Sequence, residues 1–78
     1  MIAFLLATAL AAQIIGARAR ANLTQAELAE RMDTSQSAIA RLESGRSRPS
    51  TRTLEKLAAA TGSKLRIILD PADGKRAA

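Results

Sequence analysis

The chain has 78 residues, and its 12 Lys and Arg outnumber its seven Asp and Glu, which gives a formal net charge of +5. A chain this short forms one small domain at most and buries only about 60% of its unfolded surface. It has no Cys, so it cannot form disulfides or a thiolate metal site. It also has no His, so the commonest general base is missing along with the Cys nucleophile. We therefore expect no enzyme activity, no cofactor and no bound metal.

The first 17 residues carry no charge. The stretch could be a secretory signal or a membrane span, but its positive charges follow the apolar part and do not precede it. Polar residues also interrupt it, and a span needs about 20 apolar residues. The pattern therefore favours a first helix over Ala3 to Ala21, ended by Asn22. We accordingly expect no membrane contact and a cytoplasmic protein.

Apolar residues surround this first helix. Leu6, Leu10 and Ile14 share one stripe at 100° per residue. Three others lie on different sides: Phe4, Leu5 and Ile15. One small domain covers one stripe, so the excess predicts a partner or a second copy, with a loosely packed helix start as the alternative.

Two short helices follow, each with a clear start. Thr24 and Glu27 have capping-box spacing, which predicts a second helix of about eight residues. Ser35 is a good N-cap for a third helix over Gln36 to Ser44, which would end at Gly45. The connection between the two helices is so short that they must cross steeply.

The apolar positions of these helices have the spacing of a helix-turn-helix. Leu28 and Met32 would pack against Ile39 and Leu42, with the small Ala29 at the crossing. This arrangement leaves the N-terminal half of the third helix protruding. It carries polar side chains that can reach base edges in a major groove.

A basic loop and a fourth helix come next. Pro49 prevents a helix from continuing through the loop, and Ser50 caps a helix over Thr51 to Thr61 that ends at Gly62. The loop and the start of this helix carry three arginines suited to phosphate: Arg46, Arg48 and Arg52. A merely solvated charged face is the alternative.

After the fourth helix, the spacing of the apolar residues changes from a helical period to a period of two. Leu65, Ile67 and Leu69 would then lie on one face of a strand. A lone strand cannot satisfy its backbone, so we expect this strand, residues 63–71, to pair with its copy in a homodimer. An accidental alternation in a disordered tail is the alternative. Residues 72–78 are expected to be a flexible tail.

Residues 23–32 (LTQAELAERM), 34–45 (TSQSAIARLESG), 48–50 (RPS) and 54–58 (LEKLA) resemble the phage-repressor and Cro (XRE) type of helix-turn-helix over Ile15 to Gly62. The resemblance implies an all-α, lambda-repressor-like bundle of four to five helices, here with the C-terminal strand added. Within the family, the apolar first helix and the terminal strand make the chain most similar to HigA-type antitoxins.

The resemblance also implies roles for individual residues. Gln36, Ser37 and Arg41 would contact bases, although Arg41 could instead pair on the surface with its neighbours Glu43 or Ser44. The phosphate contacts would be Gln25, which could also brace Gln36 or be a simple N1 residue, together with Thr24, Ser35, Arg46, Arg48 and Arg52. An internal ion pair would join Arg18 to Glu43. Asn22 and Asp33 replace the family's usual glycines, and both residue types tolerate a left-handed backbone.

Residues 1–62 are therefore expected to form a DNA-binding domain, and the protein is accordingly expected to be nucleoid-associated. The implied function is a repressor of a two-fold symmetric operator that also acts as the antitoxin of a type II toxin–antitoxin module. Its partner would be an RNA-cleaving toxin, contacted through Phe4, Leu5 and Ile15. A phage- or plasmid-type repressor without a toxin is the alternative.

Overall fold

Four helices make up the structure, a computed structural model that describes the backbone of residues 2–69 and the side chains of residues 9–69. They are α1 (Ile2–Arg20), α2 (Gln25–Arg31), α3 (Gln36–Glu43) and α4 (Thr51–Thr61). The predicted all-α helical bundle is confirmed, and the predicted helix bounds agree to within a residue or so. Such differences are usual where helix ends fray.

Side-chain caps start the last three helices. Thr24 accepts a hydrogen bond from the Glu27 amide (3.0 Å) while the Glu27 carboxylate accepts one from the Thr24 amide (2.8 Å), which completes the predicted capping box. Ser35 and Ser50 each accept from the amide three residues later, both at 3.1 Å. These bonds satisfy amides that the helices themselves leave without partners.

Left-handed backbone makes the sharp connections possible. The φ angles are 61° at Asn22, 57° at Asp33, 77° at Gly45 and 68° at Gly62. Asn22 and Asp33 adopt this conformation with a side chain present, as predicted for residues whose short polar groups tolerate it. The chain therefore reverses between α1 and α2, and again between α2 and α3, within a few residues.

The core lies where α1 and α2 each pack against α3 and α4. Leu28 and Ile39 are fully buried, and Ala29 is 3% exposed, as expected for the small residue of a close helix crossing. The other buried members of the core are Ile14, Leu23, Met32 and Leu57. This core joins the predicted helix-turn-helix to the helices that flank it.

Among its described side chains, residues 9–20, helix α1 buries one stripe. Ile14 is 2% exposed and Leu10 packs against the core, whereas Ile15 is 40% exposed. The side chains of Phe4, Leu5 and Leu6 lie outside the described residues. In the described part of the chain, no helix is both long and apolar enough to cross a membrane.

The predicted C-terminal strand does not form in the single chain. Residues 63–69 have no regular structure; Ile67 is 61% and Leu69 93% exposed, while Leu65 is half-buried in a cleft beside α1 and α4. The physical reason is that a strand needs a neighbour for its amides and carbonyls. The rest of the predicted strand, residues 70–71, and the predicted tail, residues 72–78, lie outside the described residues.

Candidate nucleic-acid interface

The exposed face of α3 carries the three side chains predicted to contact bases. Gln36, Ser37 and Arg41 are all exposed, whereas Ile39 on the same helix is fully buried. At 100° per residue the three lie within an arc of about 140°. Helix α3 is thus anchored on one side and presents polar groups on the other.

These three side chains have no hydrogen bond or ion pair to the described residues. The alternative partners considered for Arg41 are engaged elsewhere: the Glu43 carboxylate binds Arg18, and the Ser44 hydroxyl donates to the Arg41 backbone carbonyl (2.8 Å). The donors and acceptors of this face are therefore available to an external ligand.

The hydroxyl groups of Thr24 and Ser35 lie at the starts of α2 and α3, both exposed. Each oxygen accepts a capping bond from the backbone. A hydroxyl that accepts one bond still has its own proton to donate. Thr24 and Ser35 can therefore cap their helices and still donate a hydroxyl hydrogen bond to a phosphate.

Gln25 is held differently from expectation. Its side-chain amide Nε2 donates to Glu43 Oε1 at 3.0 Å, and the side chain is half-buried. The resemblance implied a contact between Gln25 and Gln36, at the start of α3. In the structure, Gln25 instead binds Glu43, the last residue of α3. Gln25 thus joins the network of the Arg18–Glu43 ion pair.

That ion pair links the first helix to α3. Arg18 Nε donates to Glu43 Oε2 at 2.6 Å and Nη2 donates to Oε1 at 3.0 Å, while Nη1 donates to the Leu23 carbonyl at 2.9 Å. The side chains are 20% exposed for Arg18 and 5% exposed for Glu43. The guanidinium therefore holds both the end of α3 and the loop that precedes α2.

The ion pair changes the acidity of Glu43. Burial alone would raise the pKa of the Glu43 carboxyl, but the hydrogen bonds from Arg18 and Gln25 and the positive charge of Arg18 outweigh it. The pKa of Glu43 consequently lies below its usual range. The carboxylate is ionised at neutral pH and accepts all three side-chain bonds.

A basic cleft of about 290 Å³ lies between α3 and the start of α4. Arg41, Arg48 and Lys56 all line it, and no acidic residue does. The other two arginines of the predicted phosphate set, Arg46 and Arg52, are exposed. Lys56 was missed by sequence reasoning, although its position one helical turn after Arg52 is a signal that could have identified it.

Comparison with known proteins identifies a family. A family model described as helix-turn-helix matches residues 14–68 of this chain. No curated protein and no solved structure matches it. In the described part of the chain, no cluster of His, Cys, Asp or Glu could hold a metal ion.

The lowered pKa of Glu43 predicts a loss of stability in acid. A group whose pKa is lower in the folded state stabilises the fold above its unfolded pKa, and this contribution disappears as pH falls through the folded value. The free energy of unfolding should therefore decline as the pH falls below about 5, through the ordinary titration range of a glutamate carboxyl. Glu43→Gln should lower it at pH 7 by about 2–3 kcal/mol, because Arg18 loses its counter-charge, and should flatten the acid decline.

Urea denaturation across this pH range measures both effects. Glu55→Gln, which removes an exposed carboxylate, is the matched control and should keep the acid slope of the unmodified protein. An equal acid slope in Glu43→Gln and the unmodified protein would show that Glu43 does not generate the decline.

Proposed function

Because the chain belongs to the XRE-type helix-turn-helix family of DNA-binding transcription regulators, we propose that it is a sequence-specific repressor of a two-fold symmetric operator. The observation that carries this proposal is α3. Its buried side is anchored by Ile39, and its exposed side presents Gln36, Ser37 and Arg41 without partners among the described residues. These are groups of the kind that bind base edges in a major groove.

The surrounding groups supply the phosphate contacts of this proposal. Arginines contribute charge-assisted bonds to phosphate, and hydroxyl and amide groups contribute neutral ones. The proposed set is Thr24, Gln25, Ser35, Arg46, Arg48 and Arg52. Lys56 joins it because it shares the basic cleft with Arg41 and Arg48.

Base contacts and phosphate contacts should respond differently to mutation. Gln36→Ala or Arg41→Ala should weaken operator binding by about 1–3 kcal/mol and relax one base position. Arg46→Ala should weaken all sequences alike and reduce the salt dependence by about one counterion. Titrations of operator and unrelated DNA at several salt concentrations separate the two behaviours.

Arg20→Ala is the control, since it removes an exposed arginine at the end of α1, outside the proposed DNA contacts. Unchanged operator selectivity in both Gln36→Ala and Arg41→Ala would contradict the assignment of α3 as the helix that reads DNA.

We further propose that the repressor acts as a homodimer through residues 63–71, with half-sites about one helical turn apart. The support is exposed apolar surface: Ile67 and Leu69 are mostly exposed in the single chain, in a segment whose sequence alternates. Pairing this segment with its copy would satisfy both backbones and cover this face.

The dimer proposal makes a prediction for two adjacent isoleucines of equal exposure. Ile67→Asp should dissociate the dimer, because it places a charge on the paired apolar face. Ile68→Asp, at 62% exposure against 61% for Ile67 but on the alternate face, should leave the dimer intact. Sedimentation velocity measures the oligomeric state, and a monomeric unmodified protein would refute the proposal.

An antitoxin role, the neutralisation of an RNA-cleaving toxin, is a second proposed function. It is favoured by the exposed Ile15 on α1, which the chain's own core leaves uncovered, and by the resemblance to HigA-type antitoxins. Phe4 and Leu5 complete the proposed toxin contact. A phage- or plasmid-type repressor without a toxin is the alternative, and the two differ in whether a toxin gene lies next to this one.

Co-expression with the adjacent open reading frame tests this role. An antitoxin should restore growth and copurify with the product, and Ile15→Asp should abolish both effects because it charges an apolar contact. Ala9→Asp, an exposed position about 120° away around α1, is the control. Absence of growth inhibition by the neighbouring product, or full rescue by Ile15→Asp, would contradict the proposal.

A further inference from the structure

Gln25 is the one proposed phosphate contact whose side chain is held by another element. Its Nε2 donates to Glu43 Oε1 at 3.0 Å, across a separation of 18 residues. A primary amide has two N–H donors on one side and a carbonyl acceptor on the other. An ionised carboxylate only accepts hydrogen bonds, so the bond settles which side of the Gln25 amide faces Glu43.

The orientation of this amide matters for a phosphate. Phosphate oxygens accept hydrogen bonds, so they need a donor and are repelled by a carbonyl oxygen. With one N–H of Gln25 bound to Glu43, the second N–H of the same nitrogen is left to donate. A Gln25 side chain without this bond would have to be ordered by the phosphate itself, which costs conformational entropy on binding.

Glu43 is itself fixed in position and neutralised. Two hydrogen bonds from Arg18 hold its carboxylate, at 2.6 and 3.0 Å, and its side chain is only 5% exposed. The positive charge of Arg18 offsets the repulsion that a lone carboxylate would exert on DNA phosphates. The same guanidinium binds the Leu23 carbonyl, two residues before Gln25, and so holds the backbone on which Gln25 is carried.

From this geometry we propose that Glu43 is a positioning residue for DNA binding, which orients the Gln25 amide so that its free N–H donates to a backbone phosphate. The proposal rests on the DNA-binding function given above and adds a role to a side chain that does not contact DNA. It gives Glu43 two separate roles. Its ion pair with Arg18 supports the fold, and its hydrogen bond with Gln25 supports the affinity for DNA.

A double-mutant cycle between Gln25 and Glu43 tests this role. Gln25→Ala should weaken operator binding about tenfold, as expected for one hydrogen bond to a charged group. Glu43→Gln should weaken it several-fold, because a neutral amide holds Gln25 less strongly than a carboxylate does and leaves more of the side chain to be ordered on binding. In the Gln25→Ala background, Glu43→Gln should cause no further loss of affinity, although it should lower the denaturation midpoint in both backgrounds.

A second variant keeps the test independent of stability. Arg18→Met combined with Glu43→Met replaces the ion pair by apolar side chains, an exchange that is often neutral or stabilising. This variant should keep the denaturation midpoint near that of the unmodified protein and bind the operator as weakly as Glu43→Gln. Adding Gln25→Ala to it should lower the affinity only to that of Gln25→Ala alone.

The outcomes distinguish this inference from the function on which it rests. If Glu43→Gln weakens binding by the same factor with and without Gln25, Glu43 acts through the fold alone and the inference is wrong. If Gln25→Ala has no effect while Gln36→Ala and Arg41→Ala weaken binding, the inference fails and the DNA-binding proposal stands. If all three substitutions leave operator binding unchanged, the DNA-binding proposal fails with it.

Discussion

The ion pair between Arg18 and Glu43 fixes how α1, α3 and the loop before α2 lie relative to one another. It joins the last turn of α1 to the last residue of α3, and a third bond from the same guanidinium holds the Leu23 carbonyl just before α2 begins. The core of this small bundle is built from apolar, non-aromatic side chains among the described residues. A directional pair can fix the angle of α3 where apolar contacts alone permit sliding.

Residues of helix α3 have different roles according to their position along the helix and the side of the helix on which they lie. Its first half presents polar groups to the outside, Ile39 anchors it in the core, and its last residue, Glu43, closes the network with Arg18 and Gln25. The same helix carries the proposed base contacts and the Glu43 carboxylate that binds Arg18 and Gln25. The position of the base contacts is therefore fixed relative to the flanking helices. A rigid element of this kind limits the conformational freedom that binding would otherwise have to remove.

The turns make this arrangement possible within 78 residues. Asn22 and Asp33 take a left-handed backbone that most side chains avoid, and the small Ala29 lets α2 approach its neighbours closely. The proposed dimer would address a separate need. The exposed residues Ile67 and Leu69 give the single chain apolar surface that its own bundle does not cover.

Local chemistry determined much of this protein from the sequence alone. The capping box at Thr24, the caps at Ser35 and Ser50, and the tolerance of Asn22 and Asp33 for left-handed backbone depend on residues a few positions apart, so helix number and bounds could be read directly. The resemblance added the Arg18–Glu43 pairing. Tertiary structure alone decided that Gln25 binds Glu43. A bond across 18 residues depends on how the helices pack, and no periodic pattern in the sequence indicates it. Tertiary structure also decided against a strand at residues 63–69 in the single chain, since alternation sets which side chains share a face but cannot supply the neighbouring backbone that a strand requires.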